Sequence, residues 1–112
     1  MRRILVNIEA TTHCPASCTM CPRDLITSHG NIKPELLELI LSQINSNFVW
    51  EVDLAGRGEP MAHPQFSDLL TIMHRPSLSS CVVTTGAMLT KKNLLGLTEH
   101  IDLVRLSKIF FC

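Results

Sequence analysis

Short runs of apolar residues alternate along the chain with longer segments in which apolar residues recur at helical spacing. Short apolar runs bounded by polar or glycine-containing loops are typical of buried β-strands. The pattern predicts four strands, at Ile4–Ile8 and in the segments VWEVDLAG (49–56), SSCVVTTG (79–86) and IDLVRLS (101–107).

Three segments between these strands have helical periodicity and typical helix ends. The first, 31–47, has Pro34 near its start, where proline is favoured. The second is 63–76. The third, 90–100, has Thr90 as a candidate N-cap and is weakened by Gly96. The predicted core-facing residues are Leu36, Leu37, Ile40, Leu41 and Ile44 in the first helix and Phe66, Leu69, Leu70 and Met73 in the second.

Strands that alternate with helices of about 10–15 residues predict an α/β fold with βαβ units on a parallel sheet. The predicted order is β-α-β-α-β-α-β with right-handed crossovers, in one domain that spans residues 1–112. A closed barrel needs about eight strands to enclose a packed interior, so the last strand is expected to be an unpaired edge. Polar loops follow all four strands at their carboxyl ends, where chemistry gathers in such sheets.

Composition excludes several classes of function. The chain has 112 residues, with 10 basic and 10 acidic side chains, and this balance favours neither nucleic acid nor an anionic membrane as a partner. The apolar start of the chain is too short for a signal peptide, and no run approaches the roughly 20 apolar residues of a membrane-spanning helix. A cytoplasmic protein with reduced thiols is therefore expected.

Three of the five cysteines lie close together in the segment HCPASCTMC (13–21), as Cys14, Cys18 and Cys21. In a reducing compartment such a cluster favours a metal site over disulfides, and the odd total also argues against full pairing. Three thiolates on an iron–sulfur cluster would leave one iron open. The alternative is a small zinc-binding module with His13 or a distant residue as fourth ligand, although zinc sites usually pair two C-x2-C units or use two histidines.

Other candidate residues have plainer interpretations. The segment GRGEP (56–60) taken alone predicts a tight turn between a strand and a helix. Cys81 adjoins an apolar strand and is expected to be a small core residue. His63, His74 and His100 flank helices and are expected to be solvated or to cap them.

The order of these motifs resembles the radical S-adenosylmethionine (radical SAM) superfamily. The C-x3-C-x2-C loop follows the first strand, and GRGEP resembles the family's glycine–glutamate motif after the second strand. After the third strand, VVTTGAMLT (82–90) resembles a TNG-like segment. After the fourth, VRLS (104–107) resembles a serine-containing ribose-contact stretch. The resemblance implies a partial parallel (β/α) barrel, with about four βα units of a truncated (β/α)6, TIM-like barrel. Residues 1–112 would be the amino-terminal portion of a radical SAM core domain.

The resemblance also implies cofactors and roles for individual residues. Cys14, Cys18 and Cys21 would hold a [4Fe-4S] cluster, whose fourth iron would bind S-adenosylmethionine. Gly56, Gly58, Glu59 and Ser107 would bind the cofactor: Gly58 would offer close backbone approach, Glu59 would lie near the cofactor's ammonium group, and Ser107 near its ribose. No catalytic side chain is assigned. A one-electron donor, flavodoxin-like or ferredoxin-like, would start formation of a 5'-deoxyadenosyl radical that acts on a substrate the sequence does not name.

The chain departs from the family pattern at several positions. Met20 stands where an aromatic residue is usual, Arg57 replaces a common small residue, and Thr85 stands where asparagine is common. After VRLS the chain ends in KIFFC, without the last strands and helices of the barrel. A truncated, non-catalytic iron–sulfur-binding remnant is therefore an alternative to an enzyme, and a separate chain that completes the barrel is a further possible partner.

Overall fold

The computed structural model describes residues 4–13 and 30–107. It contains four strands and three α-helices in the predicted order. They are β1 (Ile4–Ile8), α1 (Pro34–Gln43), β2 (Val49–Leu54), a short 3-10 helix (Pro60–Ala62), α2 (Phe66–Met73), β3 (Ser79–Thr84), α3 (Lys91–His100) and β4 (Leu103–Leu106). The strands β2 and β3 each end two residues before the predicted limit. Both limits fall on glycines with positive φ, Gly56 at 147° and Gly86 at 81°, which turn the chain out of the sheet.

The four strands form one parallel sheet in the order β1-β2-β3-β4. The register aligns Asn7, Asp53, Cys81 and Leu103 across the four strands. Each pair of neighbouring parallel strands is joined by a crossover that contains a helix, as parallel pairing requires. The predicted α/β fold with a partial parallel sheet is therefore confirmed.

One face of the sheet packs against the three helices and forms the core. Val52, Leu54 and Val82 lie in the same apolar cluster as buried residues of α1, α2 and α3. Helix α2 lies between α1 and α3 and contacts both. All four predicted core residues of α2 are buried, as Phe66, Leu69, Leu70 and Met73. The sequence pattern thus identified the central helix of the layer correctly.

Helix α1 differs from the prediction at one residue. Leu37 and Leu41 are buried, whereas Leu36 is 47% exposed. Residues four apart lie on one face of a helix, and Leu36 lies about 100° around the axis from Leu37. Helix α1 contacts the sheet and α2 through one side only. The stripe of side chains that it buries is therefore narrower than its leucine content predicts.

The helix starts predicted from Pro34 and Thr90 are confirmed, whereas α1 and α2 are shorter than the predicted segments 31–47 and 63–76. Pro34 occupies the start of α1, and the hydroxyl of Thr90 accepts a hydrogen bond from the backbone nitrogen of Asn93 at 3.2 Å, which caps α3. All four residues of β4 are exposed, as expected for an edge strand. Among the helices of the described segments, none has the length and apolar character needed to cross a membrane.

Candidate functional site

The predicted site residues follow the carboxyl ends of the strands, and only some of them fall within the described segments. Cys14, Cys18 and Cys21 lie outside the described residues. Gly56, Gly58, Glu59 and Ser107 are described, together with the residues on both sides of the cysteine segment. The hydrogen bonds and close contacts of these described residues show which loops pack against each other.

The chain segments on either side of residues 14–29 are held side by side beyond the end of β1. Thr11 and Asn31 form an isolated antiparallel bridge, and the Thr11 hydroxyl donates to the Asn31 side-chain oxygen. The Thr12 nitrogen donates to the Gly30 carbonyl at 3.0 Å, and the Gly30 nitrogen donates to the Thr12 hydroxyl at 2.9 Å. We call these two paired segments, Thr11–Thr12 and Gly30–Asn31, the neck, and residues 14–29, which include the three cysteines, lie between them in sequence.

The GRGEP turn packs directly on this neck. The Glu59 nitrogen donates to the His13 carbonyl at 2.8 Å, one residue before Cys14. A Cβ atom on Gly58 would lie 2.0 Å from the carbonyl oxygen of Thr11 and 2.8 Å from that of His13. Backbone atoms cannot give way as a flexible side chain can, so residue 58 must be glycine for the two loops to touch. Gly58 therefore lies against the backbone that precedes Cys14, and its expected contact with a cofactor stays a prediction.

Gly56 is required for a different reason. Its φ of 147° is disfavoured for residues with a side chain, and a Cβ there would lie 2.7 Å from Cγ of Glu9. Glu9 in turn binds Arg57 in a two-pronged ion pair, with Nε to Oε1 and Nη2 to Oε2 both at 3.1 Å. The Arg57 backbone nitrogen also donates to Oε1, at 2.7 Å. Arg57 therefore anchors the turn to the end of β1, a role that sequence reasoning did not identify.

The same ion pair shifts the pKa values of both groups. The hydrogen bond and charge of Arg57 lower the pKa of Glu9, and Glu9 raises the pKa of Arg57. Both side chains are partly solvated, with 51% of Arg57 and 31% of Glu9 exposed, so salt screens the attraction. The pair fixes geometry more than it contributes stability.

Glu59 joins the loop after β2 to the loop after β3. Its side chain is buried, and Oε2 accepts hydrogen bonds from the backbone nitrogen of Thr85 at 2.9 Å and from its hydroxyl at 3.1 Å. Oε1 accepts from the hydroxyl of Thr84 and, at 3.4 Å, from the backbone nitrogen of Met61. Four donors thus surround one buried carboxylate. Its expected place beside a cofactor's ammonium group stays a prediction.

Ser107 is exposed and lies immediately beyond β4, next to the end of β3. Its backbone nitrogen donates to the Thr84 carbonyl at 2.8 Å. Thr84 therefore contacts Glu59 through its hydroxyl and Ser107 through its carbonyl. Sequence reasoning did not single out Thr84. The signal that could have identified it is the pair of threonines before Gly86, which lie at the end of β3, at the same edge of the parallel sheet as the GRGEP turn after β2.

His63, predicted to be solvated or to cap a helix, is not solvated but does lie at a helix end, as the residue that follows the 3-10 helix. It is 3% exposed, its Nδ1 accepts from the Gln65 nitrogen at 2.9 Å, and Nε2 lies 2.6 Å from the Ile32 carbonyl. These contacts assign the proton to Nε2, since Nδ1 is the acceptor. The imidazole links the segment after the cysteine loop to the segment that follows GRGEP.

Comparisons with known proteins agree with this arrangement. No protein-family model matches the chain. A PqqA peptide cyclase from Gluconobacter oxydans (strain 621H) is 32% identical over 101 residues, which is 85% of this chain and 28% of the relative. A PqqA peptide cyclase from Streptomyces rochei is 32% identical over 103 residues, 89% of this chain and 28% of the relative. The chain thus spans little more than a quarter of the length of these relatives.

Solved structures share the fold. The structure of BtrN in complex with AdoMet and 2-DOIA superposes with a TM-score of 0.80 at 22% identity, over 99% of this chain and 50% of BtrN. Streptococcus suis SuiB bound to S-adenosylmethionine superposes with a TM-score of 0.77 at 21% identity, over 93% of this chain and 25% of SuiB. The loop motifs at the carboxyl ends of four parallel strands, the cyclase relatives and this shared fold together assign the chain to the radical S-adenosylmethionine superfamily.

Proposed function

We propose that the chain forms the part of a radical SAM enzyme that holds a [4Fe-4S] cluster and S-adenosylmethionine. The observation that carries the proposal is the contact between Gly58 and the backbone of Thr11 and His13. This contact places GRGEP against the residue that precedes Cys14, and Glu59 extends the connection to Thr85. The segments that follow β1, β2 and β3 thus converge at one edge of the sheet, where (β/α) folds carry their chemistry.

Cys14, Cys18 and Cys21 supply the ligands in this proposal. Soft thiolates suit an iron–sulfur cluster, and three of them on a cubane leave one iron for a cofactor to bind. The hydrogen bonds between Thr12 and Gly30 support the proposal, because they hold together the two segments that flank residues 14–29, next to the GRGEP turn.

Gly56, Gly58, Glu59 and Ser107 remain the candidates for the S-adenosylmethionine site. The Glu59 carboxylate already accepts from Thr84, Thr85 and Met61. We therefore assign Glu59 a positioning role, in which it holds the backbone of the turn for the cofactor's polar groups. When bound, the cluster and S-adenosylmethionine, reduced by a flavodoxin-like or ferredoxin-like donor, supply the radical that abstracts hydrogen from the substrate.

A peptide is the proposed substrate class. The cyclase relatives are named for the PqqA peptide, and SuiB has been solved bound to the precursor peptide SuiA. The identity of 32% to the cyclases carries this step, because the similarity to SuiB at 20% shows the fold alone.

Anaerobic reconstitution with iron and sulfide tests the cluster. We expect about four irons and four sulfides per chain and a brown chromophore. Cys14→Ala, Cys18→Ala and Cys21→Ala should each lose most of the iron, whereas Cys112→Ala, a cysteine outside the motif, should bind as the wild type does. Wild-type iron content no higher than that of the three variants, or tightly bound zinc in its place, would refute the proposal.

The exposure of β4 supports a second candidate function, that of an iron–sulfur-binding unit without catalysis. All four residues of this edge strand are exposed, so its backbone groups are open to pairing with a further strand. Reductive cleavage of S-adenosylmethionine by the reconstituted chain, measured as methionine and 5'-deoxyadenosine, separates the two. Cleavage above a cluster-free control supports the enzyme, and cluster binding without cleavage supports the second candidate.

A further inference from the structure

The face of the sheet opposite the helices carries a cluster of polar side chains. Glu51, Asp53 and Cys81 alternate along β2 and β3 with the core residues, so they point away from the three helices. Arg105 of β4 reaches across β3 to join them. We call these four residues the inner-face cluster, because this face would line the interior of a (β/α) barrel.

Arg105 contacts the other three residues of the cluster through one nitrogen. Nη1 lies 2.9 Å from Oε2 of Glu51, 3.0 Å from Oδ2 of Asp53 and 3.4 Å from Sγ of Cys81. Glu51, Asp53 and Cys81 are buried, whereas 42% of the Arg105 side chain is exposed. The guanidinium therefore caps three buried acceptors from the solvent side.

One buried carboxylate oxygen of the cluster has no hydrogen-bond donor. Among buried side-chain nitrogen and oxygen atoms in residues 4–13 and 30–107, Oδ1 of Asp53 alone has no partner. The Asp53 side chain is 5% exposed, so this oxygen is largely shielded from bulk solvent. Buried polar atoms are nearly always paired, and an unpaired one marks a position that a further group can satisfy.

The cluster also has fewer positive charges than negative ones. Glu51 and Asp53 face one guanidinium, which leaves one net negative charge when both acids are ionised. Burial and the neighbouring Glu51 raise the pKa of Asp53 to about 6, although Arg105 opposes the shift. On the β1 side, Asp53 pairs in register with Asn7 and Glu51 with Leu5, so β1 adds no charge.

We propose that the inner-face cluster is a substrate subsite that takes a protonated amine, which donates a hydrogen bond to Oδ1 of Asp53. An amine supplies both the missing donor and the missing charge, whereas an anion would meet two carboxylates. Arg105 is the exposed member and belongs to an exposed edge strand, so a shift of its side chain opens Asp53 to the ligand.

The position of the cluster relative to the cofactor loops fits this role. Asp53 precedes Gly56 by three residues, which is about 10 Å along an extended strand. A peptide with its amine at Asp53 can therefore place a second group near the carboxyl edge of the sheet. This inference rests on the proposed function, because the radical site at that edge is part of it.

Three probes of similar shape and different charge test the subsite on the 112-residue chain. They are butylammonium, butan-1-ol and butyrate, each titrated at pH 7.5 while the carboxyl carbons are followed by NMR. We expect butylammonium to bind at least about tenfold more tightly than butan-1-ol, as one charge-assisted bond predicts, and to lower the pKa of Asp53.

Variants separate an amine site from the alternatives. Asp53→Asn should reduce butylammonium affinity about tenfold or more, and Asp68→Asn, an exposed acid on α2, should leave it unchanged. Arg105→Ala should raise butylammonium affinity, because two carboxylates then lack their cation. If Asp53→Asn does not fold, the wild-type titration and the Arg105→Ala comparison decide the result.

The inference fails if butyrate binds better than butylammonium, if Arg105→Ala weakens amine binding, or if no probe depends on charge. None of these measurements needs iron or S-adenosylmethionine. Asp53→Asn should also bind iron as the wild type does after reconstitution. A chain that binds iron and not the amine retains the proposed function without this subsite, and the reverse result retains the subsite alone.

Discussion

Glu59 accepts two hydrogen bonds from Thr85, from the backbone nitrogen at 2.9 Å and from the hydroxyl at 3.1 Å, although a helix and a strand separate the two residues in sequence. The bonds are made by a buried carboxylate, where they are strong and hard to replace. They hold the loop after β2 and the loop after β3 together. A substitution in either loop should therefore affect both.

Glu59→Gln should destabilise the chain more than its small change in size suggests. The glutamine amide presents a donor where the carboxylate accepted, and each buried donor left without an acceptor costs about 1–3 kcal/mol. Urea denaturation measures the change in the free energy of unfolding. Glu99→Gln, whose side chain is 69% exposed, is the control and should change stability by no more than about 0.5 kcal/mol. Equal stability of both variants would contradict the role assigned to Glu59.

Gly58→Ala should separate the turn from the neck. The new Cβ would lie 2.0 Å from the Thr11 carbonyl oxygen, so the backbone must move, at a cost of at least about 1–3 kcal/mol. Gly30→Ala is the matched control, because a Cβ there has nothing within 4 Å. Thermal unfolding and iron content after reconstitution measure the effect. A Gly58→Ala chain as stable and as rich in iron as Gly30→Ala would show that the contact is not required.

Asp53 should make stability fall as the pH rises from about 4 to 6. Its folded-state pKa is raised to about 6 from 3.8, so the folded chain keeps a proton that the unfolded chain has released in this window. Unfolding is then favoured as the pH rises. Asp53→Asn does not titrate and should lack this decline. The difference in the free energy of unfolding between wild type and variant, measured from pH 3.5 to 7.5, should change mainly between pH 4 and 6; a constant difference would contradict the shift.

Two neighbouring leucines of α1 should respond very differently to truncation. Leu37 is fully buried, so Leu37→Ala should lower the free energy of unfolding by about 2–5 kcal/mol. Leu36 is 47% exposed, and Leu36→Ala should change it by no more than about 0.5 kcal/mol. Denaturation of the two variants side by side checks the helix orientation. Similar losses would mean that α1 packs through a broader face.

The order of the elements was predictable from the sequence because its causes are local. Strand and helix periodicities, Pro34 at a helix start and Thr90 at a helix cap each depend on residues within a few positions of one another. The predicted strands and helices were confirmed for that reason. The parallel sheet followed as well, since strands linked by helices have few other ways to pair.

The partners of the site residues were decided by the tertiary structure. Glu59 meets Thr84 and Thr85, Arg57 meets Glu9, and Arg105 meets Glu51 and Asp53 only because the sheet brings together positions 25 to 54 residues apart in the chain. A shift of one residue in register would turn these side chains to the other face. Local periodicity along the chain was enough to identify which elements form and which loops carry polar groups. Strand register and loop contact, which depend on distant residues, decided what each of those groups binds.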